Sequence, residues 1–483
     1  MPTHRIAAQR LIAALGFLLA GVSAQAAVVP TDITEENRLP GSTSWQISEA
    51  IWNRRAPQGY ADAESVPRGG TVHVAVRSTG RTRLSVFRLG WYSGLGARRL
   101  STQVLGRSPQ PTKPERETLR AGWRPTSLRV PAAWPSGVYL VRLSYADGPA
   151  SYVPIVVREP ARTGGIAVVV PTNTYQAYND WGGESLYTSR TSGARRRAVV
   201  SFDRPFRSDH GAGQLFLRGD VNLIRWLERT GQPVTYLADS DLDAGRLDRL
   251  RPAVVIVTHG EYWTESERNA MERHSTRGGG IVAMSANVGF WRALLSTGHG
   301  GAGRTLVVAR QPLDPIYGPP TPFDPTGVTT HWEDPPNLRP PGGLLGVDYA
   351  GALDETPGAK NDYLASYPGL PLRIANSSHP LLRGTGLSDG AELPGFVGGE
   401  VDARSSVAPG VEMIAHSPVT LYGAAAHSDV TWWAPPGRGP VFAVGTFYWV
   451  FGLDAFGTRG HFTESPAIQR ITLNALAALR GGG

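Results

Sequence analysis

Three short apolar runs constrain this chain more than any other feature. Ile166-Ala-Val-Val-Val170, Ala253-Val-Val-Ile-Val-Thr258 and Gly280-Ile-Val-Ala-Met-Ser285 show almost no polar alternation. A strand that is apolar throughout has to be covered on both faces. The segments between the runs can supply that cover. Residues 219–229 place Leu223, Trp226 and Leu227 on one helical face. Residues 264–277 open with Thr264 and Glu267, the two partners of a capping box. Between these helices a short strand, 234–237, runs into the Asp-rich turn 238–243. Strands alternating with helices predict a parallel, doubly wound sheet. Residues 441–447 and 466–479 read as its last strand and helix.

The grammar before residue 163 is different. Thr71-Val-His-Val-Ala-Val76 and Arg83-Leu-Ser-Val-Phe-Arg-Leu89 alternate with period two. Gly137-Val-Tyr-Leu-Val-Arg-Leu-Ser144 and Ser151-Tyr-Val-Pro-Ile-Val-Val157 complete the pattern. Short strands with Gly/Pro turns and no amphipathic helix predict an immunoglobulin-like β-sandwich over 28–160. Ser108-Pro-Gln-Pro-Thr-Lys-Pro114 is a proline-rich loop within it. The α/β part then covers 163–483, with a Pro/Gly-rich excursion at about 300–395 that is expected to pass over the active face.

Composition excludes several chemistries. The chain has no cysteine, so disulfides, thiolate nucleophiles, iron–sulfur clusters and cysteine zinc sites are all removed. A metal would have to use His, Asp, Glu or Tyr. The net charge is +8, but the basic residues are almost all arginine, with Lys113 and Lys360 the only lysines. They are scattered apart from Arg195-Arg-Arg197, and no nucleic-acid-binding signature accompanies them. His4, Arg5 and Arg10, the apolar run 11–20 and Ala24-Gln-Ala26 read as a cleavable signal peptide over 1–26. The mature protein is therefore expected to be secreted or periplasmic, with no membrane segment. Whether it self-associates into a homo-oligomer is left open.

Ligands of open α/β sheets bind beyond the carboxyl ends of the strands. Three segments fall there. Pro171-Thr-Asn-Thr-Tyr-Gln-Ala-Tyr-Asn-Asp-Trp-Gly-Gly-Glu-Ser-Leu-Tyr187 reads as a loop dense in aromatics and amides, or as a structural loop whose tyrosines pack. His259-Gly-Glu-Tyr-Trp263 follows the 253–258 run, and Ser285-Ala-Asn287 follows the 280–285 run. Glu261 takes the strand-to-helix turn where an α/β-hydrolase carries its nucleophile, but Gly-x-Ser-x-Gly is absent. Nucleotide-binding glycine motifs are absent too. His-x-Glu near tyrosines could bind a hard, oxygen-loving ion such as ferric iron. It could equally be a histidine and a carboxylate satisfied by nearby backbone.

The motif 173–187 together with His259-Gly-Glu-Tyr-Trp-Thr264 resembles the large (β) subunit of N,N-dimethylformamidase and its relatives. Arg88-Leu-Gly-Trp-Tyr-Ser-Gly-Leu-Gly-Ala-Arg98 and Trp134-Pro-Ser-Gly-Val-Tyr139 carry the same resemblance. It implies a mononuclear Fe(III) held by two tyrosines and one glutamate, placed by the resemblance at Tyr139, Tyr178 and Glu261. Tyr175 is the rival for Tyr178. The resemblance also implies His259 and Asn287 in the pocket and Glu400 as a second carboxylate. The fold expected is the β-sandwich followed by a glutamine-amidotransferase-like α/β domain.

The activity implied is hydrolysis of a small amide. The ion would activate the carbonyl or a water, Glu400 would act as general base, and His259 and Asn287 would donate to the developing oxyanion. Two other readings use the same residues: an exported, non-catalytic module that binds a glycan or cell-wall component, and a zinc or other metallohydrolase.

Overall fold

The computed structural model describes residues 32–48, 55–115, 118–146, 148–159, 164–188, 198–296, 304–308, 329–353, 369–458 and 460–481. The signal peptide read at 1–26, the run Arg195-Arg-Arg197 and much of the Pro/Gly-rich excursion lie outside these residues.

The N-terminal strands form two sheets. Gln58–Ala61, Thr71–Arg77 and Pro125–Arg129 make an antiparallel three-stranded sheet. The second has the order Ser65–Pro67, Ala150–Arg158, Gly137–Ser144, Thr82–Leu89, Ala97–Leu105. It is antiparallel except for its first pair. Period-two alternation puts Val72, Val74 and Val76 against Leu84, Val86, Tyr139, Val141 and Leu143 in one core. The opposite face of the larger sheet is apolar as well. Phe87, Leu89, Val138, Leu140 and Tyr152 pack in one cluster with Leu223, Trp226 and Tyr236. That sheet is therefore buried on both sides, against its partner sheet and against the α/β half.

A buried ion pair joins the two halves. Arg88 donates from Nη2 to Glu228 Oε1 and from Nη1 to Glu228 Oε2, both at 2.8 Å. Glu228 lies on the helix Asp220–Arg229 and also accepts from Asn37 Nδ2 at 2.7 Å and Tyr236 Oη at 2.8 Å.

The apolar runs form the parallel sheet that their composition requires. The strand order is Val234–Ala238, Ile166–Val170, Val254–Val257, Gly280–Ala283, Val441–Ala443, and these five run parallel. The hairpin Glu412–Leu421 with Ala424–Trp433 extends it in the antiparallel sense. Ile166 and Val168 pack with Ile468, Ile471 and Leu476 of the helix Pro466–Gly481 on one face. Ala167 and Val169 pack with Ala270 and Met271 of the helix Glu265–Thr276 on the other. Thr264 and Glu267 close the expected capping box. A separate four-stranded sheet has the order Val199–Ser201, Thr305–Val307, Trp291–Ser296, Tyr262–Thr264.

One local expectation is corrected. The start of the 171–187 stretch is helical, spanning Thr172–Tyr178. Thr and Asn are indifferent helix formers, but six of its seven residues are buried and Tyr175 N–H donates to the Pro171 carbonyl at 3.0 Å. Tertiary packing overrides the local preference. The described part of the 300–395 region is not structureless: Val347–Ala352 pairs with Glu400–Arg404, and Leu370–Arg373 pairs with Glu392–Val397.

Candidate functional site

Four neighbouring strands of the parallel sheet deliver side chains to one place. After Ile166–Val170 the helix Thr172–Tyr178 ends on Tyr178. The chain turns through Trp181–Gly183 and returns, with Leu186 N–H donating to the Ala177 carbonyl at 3.1 Å. This return stacks the Tyr187 ring on that of Tyr178, with centroids 4.1 Å apart. After Val254–Val257 come His259 and Glu261, and the Glu261 N–H donates to Thr174 Oγ1 at 3.0 Å.

The phenols converge on that glutamate. Tyr178 Oη donates to Glu261 Oε2 at 2.8 Å, and Tyr187 Oη donates to Glu261 Oε1. Tyr262 Oη in turn donates to Tyr187 Oη at 2.5 Å. Burial first, then the charges of Glu261 and Glu400, push the Tyr178 phenol well above its ordinary range. Without a cation it keeps its proton.

Asn287 follows the strand Gly280–Ala283 with φ +58°, a left-handed conformation that Asn tolerates better than most residues. Its N–H donates to Asp402 Oδ1 at 2.8 Å and its Nδ2 to Glu400 Oε2 at 2.7 Å. Glu400 and Asp402 lie two apart on the strand Glu400–Arg404. Burial raises the Glu400 carboxyl, but the facing His259, the Arg218 guanidinium and the Asn287 amide outweigh it and hold the group below its usual range. Asp402 goes the other way: burial pushes it up to about 8, although the Asn287 N–H opposes the shift.

His259 bridges the two acidic groups. Its Nε2 is 3.7 Å from Glu261 Oε2 and 3.6 Å from Glu400 Oε2, both too long for hydrogen bonds. The residue is 1% exposed, and neither ring nitrogen has a hydrogen-bond partner. Buried polar atoms are nearly always paired. Phe447, which follows the fourth strand Val441–Ala443, sets its ring 4.5 Å from the imidazole.

Of the residues read from the sequence, Tyr178, Glu261, His259, Asn287 and Glu400 come together and Tyr139 does not. Tyr139 Oη donates to the Pro135 carbonyl at 2.7 Å, and the ring stacks on Trp134 at 5.6 Å. Strand alternation turns Tyr139, with Val141 and Leu143, into the sandwich core; its neighbours Val138 and Leu140 face the α/β half. Tyr187 is the second phenol on Glu261 instead. Tyr175 is engaged elsewhere, donating to Asp220 Oδ2 at 2.6 Å. Tyr187, Tyr262, Asp402, Phe447 and Arg218 were not singled out in the sequence. Tyr187 lies in the same aromatic stretch as Tyr178, and Asp402 is one strand repeat from Glu400.

The set Tyr178, Tyr187 and Glu261 fits a hard cation. All its donors are oxygens, a cation could replace the two phenolic protons now shared with Glu261, and the unpartnered imidazole lies beside it. A second group, His331, Glu333 and Asp334, brings its ligand atoms within 4.8 Å of one another. There the imidazole lies tilted against the Phe290 ring and edge-on to Trp291, and Glu333 is exposed.

Fold and site together define a sheet-rich α/β protein with an acid–phenol cluster at the carboxyl ends of a parallel sheet. A family described as N,N-dimethylformamidase beta subunit-like, C-terminal, matches residues 83–464, and the chain belongs to that family. The N,N-dimethylformamidase beta subunit of Paracoccus aminophilus is 26% identical over a match covering 34% of this chain. The match spans only about a quarter (27%) of that relative's length. Among solved structures, a beta-galactosidase from Bacillus circulans sp. alkalophilus superposes with a TM-score of 0.31 at 11% identity, covering 65% of this chain and 30% of the other. A likeness of that size bears on neither fold family nor function.

Proposed function

We propose that this protein is a metal-dependent hydrolase that cleaves the C–N bond of a small amide. The observation that carries the reading is the clamp of two phenols on the two oxygens of one buried carboxylate, beside a buried imidazole with no hydrogen-bond partner. Family membership supports an amide as substrate. Tyr178, Tyr187 and Glu261 would hold Fe(III), which when bound supplies Lewis-acid polarisation of a carbonyl or acidification of a water.

The remaining roles belong to the chain's own groups. Glu400, held ionised by its neighbours, takes a proton from the attacking water and returns it to the leaving amine. Asn287 orients that carboxylate through Nδ2, a different role from the oxyanion donor expected from the sequence. His259 would donate from its Nε2–H to the developing oxyanion. Phe447 and Gly399 keep this wall close: a Cβ on Gly399 would lie 2.5 Å from the Phe447 ring.

In this reading 28–160 is an immunoglobulin-like domain and 163–483 a glutamine-amidotransferase-like one, with 1–26 an export signal. No helix among the described residues is long and apolar enough to cross a membrane.

Metal analysis with a visible spectrum tests the proposal. Phenolate-to-Fe(III) charge transfer should colour the purified protein, and a panel of formamides and acetamides should release amine. A folded, colourless protein that neither contains iron nor takes it up would sink the iron assignment. An iron-loaded protein that turns over no amide would favour a binding module.

A further inference from the structure

One buried arginine holds the chain between the two phenols of the clamp. Arg204 follows the strand Val199–Ser201 and is 0% exposed. Its guanidinium donates to four main-chain carbonyls. Nη2 reaches Gln176 at 3.1 Å, Nη1 reaches Trp181 at 3.3 Å and Glu184 at 3.2 Å, and Nε reaches Ser201 at 3.1 Å. The places of these carbonyls along the chain matter. Gln176 comes two residues before Tyr178, Trp181 starts the turn, and Glu184 comes three residues before Tyr187. Arg204 therefore brackets both phenols. The bond to Ser201 ties the bracket to the four-stranded sheet, whose other edge strand, Tyr262–Thr264, continues from Glu261. The three members of the clamp thus share one frame.

Other contacts hold the entry and the outside of the turn. Asn179 Oδ1 accepts from the N–H groups of Trp181 at 3.1 Å and Arg207 at 3.2 Å. A Cβ on Gly182 would lie 2.8 Å from Pro114, the last residue of the proline-rich loop of the sandwich. Trp181 meets Trp123 of the sandwich edge-on, with ring centres 5.7 Å apart. Arg204 holds the inner side, up to the exit at Glu184.

A guanidinium carries its N–H donors in one plane at fixed angles, so carbonyls that meet it are held in a defined arrangement. Buried carbonyls have to be paired, and without the guanidinium these four would lose a shared donor. We propose that Arg204 is a positioning residue for the two phenols. It fixes the path from Tyr178 to Tyr187 so that the rings stack and each phenol meets its own oxygen of Glu261. Its effect passes through Tyr187, whose segment it holds at Glu184. The inference rests on the reading of Tyr178, Tyr187 and Glu261 as the metal ligands above.

Arg204→Met and Arg204→Lys, compared with the wild type as full-length proteins, test it in two ways. With Fe(III) added, Arg204→Met should lose the contribution of one phenolate to the charge-transfer band and bind iron about tenfold or more weakly, the size of one charge-assisted contact. Arg204→Lys should fall between the two, since lysine keeps the charge without the fork. In the metal-free proteins, amide hydrogen exchange over residues 181–188 should quicken by about tenfold or more in Arg204→Met, with the strands of the parallel sheet unchanged. That segment includes Leu186, whose N–H is bonded to the Ala177 carbonyl. A band and an iron affinity equal to those of the wild type would overturn the inference. So would exchange that is unchanged, or that quickens evenly along the chain as a general loss of stability does. If the wild type takes up no iron, the metal reading has failed by itself and exchange decides: quickening confined to 181–188 upholds Arg204 as the residue that places Tyr187, and any other pattern removes it. Should Arg204→Met not fold, Arg204→Lys is read by the same criteria.

Discussion

Removing Arg88 should destabilise this protein far more than removing any surface arginine. The guanidinium is 0% exposed and makes a two-point contact with Glu228 at 2.8 Å. It also donates to the carbonyls of Ser136 and Leu89 and to Tyr92 Oη. In Arg88→Met the carboxylate of Glu228 would stay buried with only Asn37 Nδ2 and Tyr236 Oη as donors. Stripping a buried charge of its partner costs about 3–5 kcal/mol. Glu228→Leu leaves the mirror-image defect and should cost about as much. The double variant removes both charges, so it should cost less than the sum of the single changes by at least ~2 kcal/mol. Urea unfolding of the four proteins, followed by tryptophan fluorescence and circular dichroism in parallel, measures the cycle. Single-variant costs below ~1 kcal/mol, or strict additivity, would show that the pair is hydrated and does not join the two halves.

Three further outcomes are expected. Tyr178→Phe and Tyr187→Phe should each lower metal occupancy, whereas Tyr139→Phe should leave occupancy intact and cost about 1 kcal/mol for its lost hydrogen bond to Pro135; loss of metal in Tyr139→Phe alone would reverse the ligand assignment. Asp402 is raised to about 8 in the folded chain against about 3.9 unfolded, so its stabilising contribution is complete below about pH 4 and is lost as the pH rises to about 8. Asp402→Asn, which keeps an acceptor for the Asn287 N–H, should therefore gain stability relative to the wild type between pH 4 and 9, by a few kcal/mol at most; a parallel pH dependence in the two metal-free proteins would refute the shift. Asn287→Ala should lower the amide-cleaving kcat more than it raises KM, since it frees Glu400 without touching the aromatic walls; a pure KM effect would assign Asn287 to substrate binding.

The parallel sheet was legible because its strands are apolar at every position, a pattern that only double-sided cover permits. The convergence of the candidate residues was legible where they follow strand ends directly, as at Glu261 and Asn287. Tyr178 was placed by its neighbourhood in the motif. Tyr139 stands apart from the cluster because its motif fixes a position in the chain, whereas its direction depends on which face of the strand Gly137–Ser144 looks into the sandwich. The double-sided burial of that sheet made both faces apolar, so alternation could not show which one met the α/β half. Tyr187 could not be assigned from the sequence because it reaches Glu261 only through the turn at Trp181–Gly183, where Gly182 has φ +86°.

The two residues closest to the proposed chemistry are separated by a seam. His259 follows Val254–Val257 of the seven-stranded sheet, while Glu261 leads into Tyr262–Thr264 of the four-stranded sheet. The Glu261 carbonyl accepts from the N–H groups of Phe290 and Trp291, at 3.0 and 2.9 Å, which fastens it to the smaller sheet. Gly260 alone spans the gap. The His259–Glu261 separation therefore works as a strain gauge between the two sheets. A slip between the sheets would shift Glu261 with its phenol clamp relative to the imidazole, so that mechanical integrity of the sheet junction and readiness for chemistry are linked.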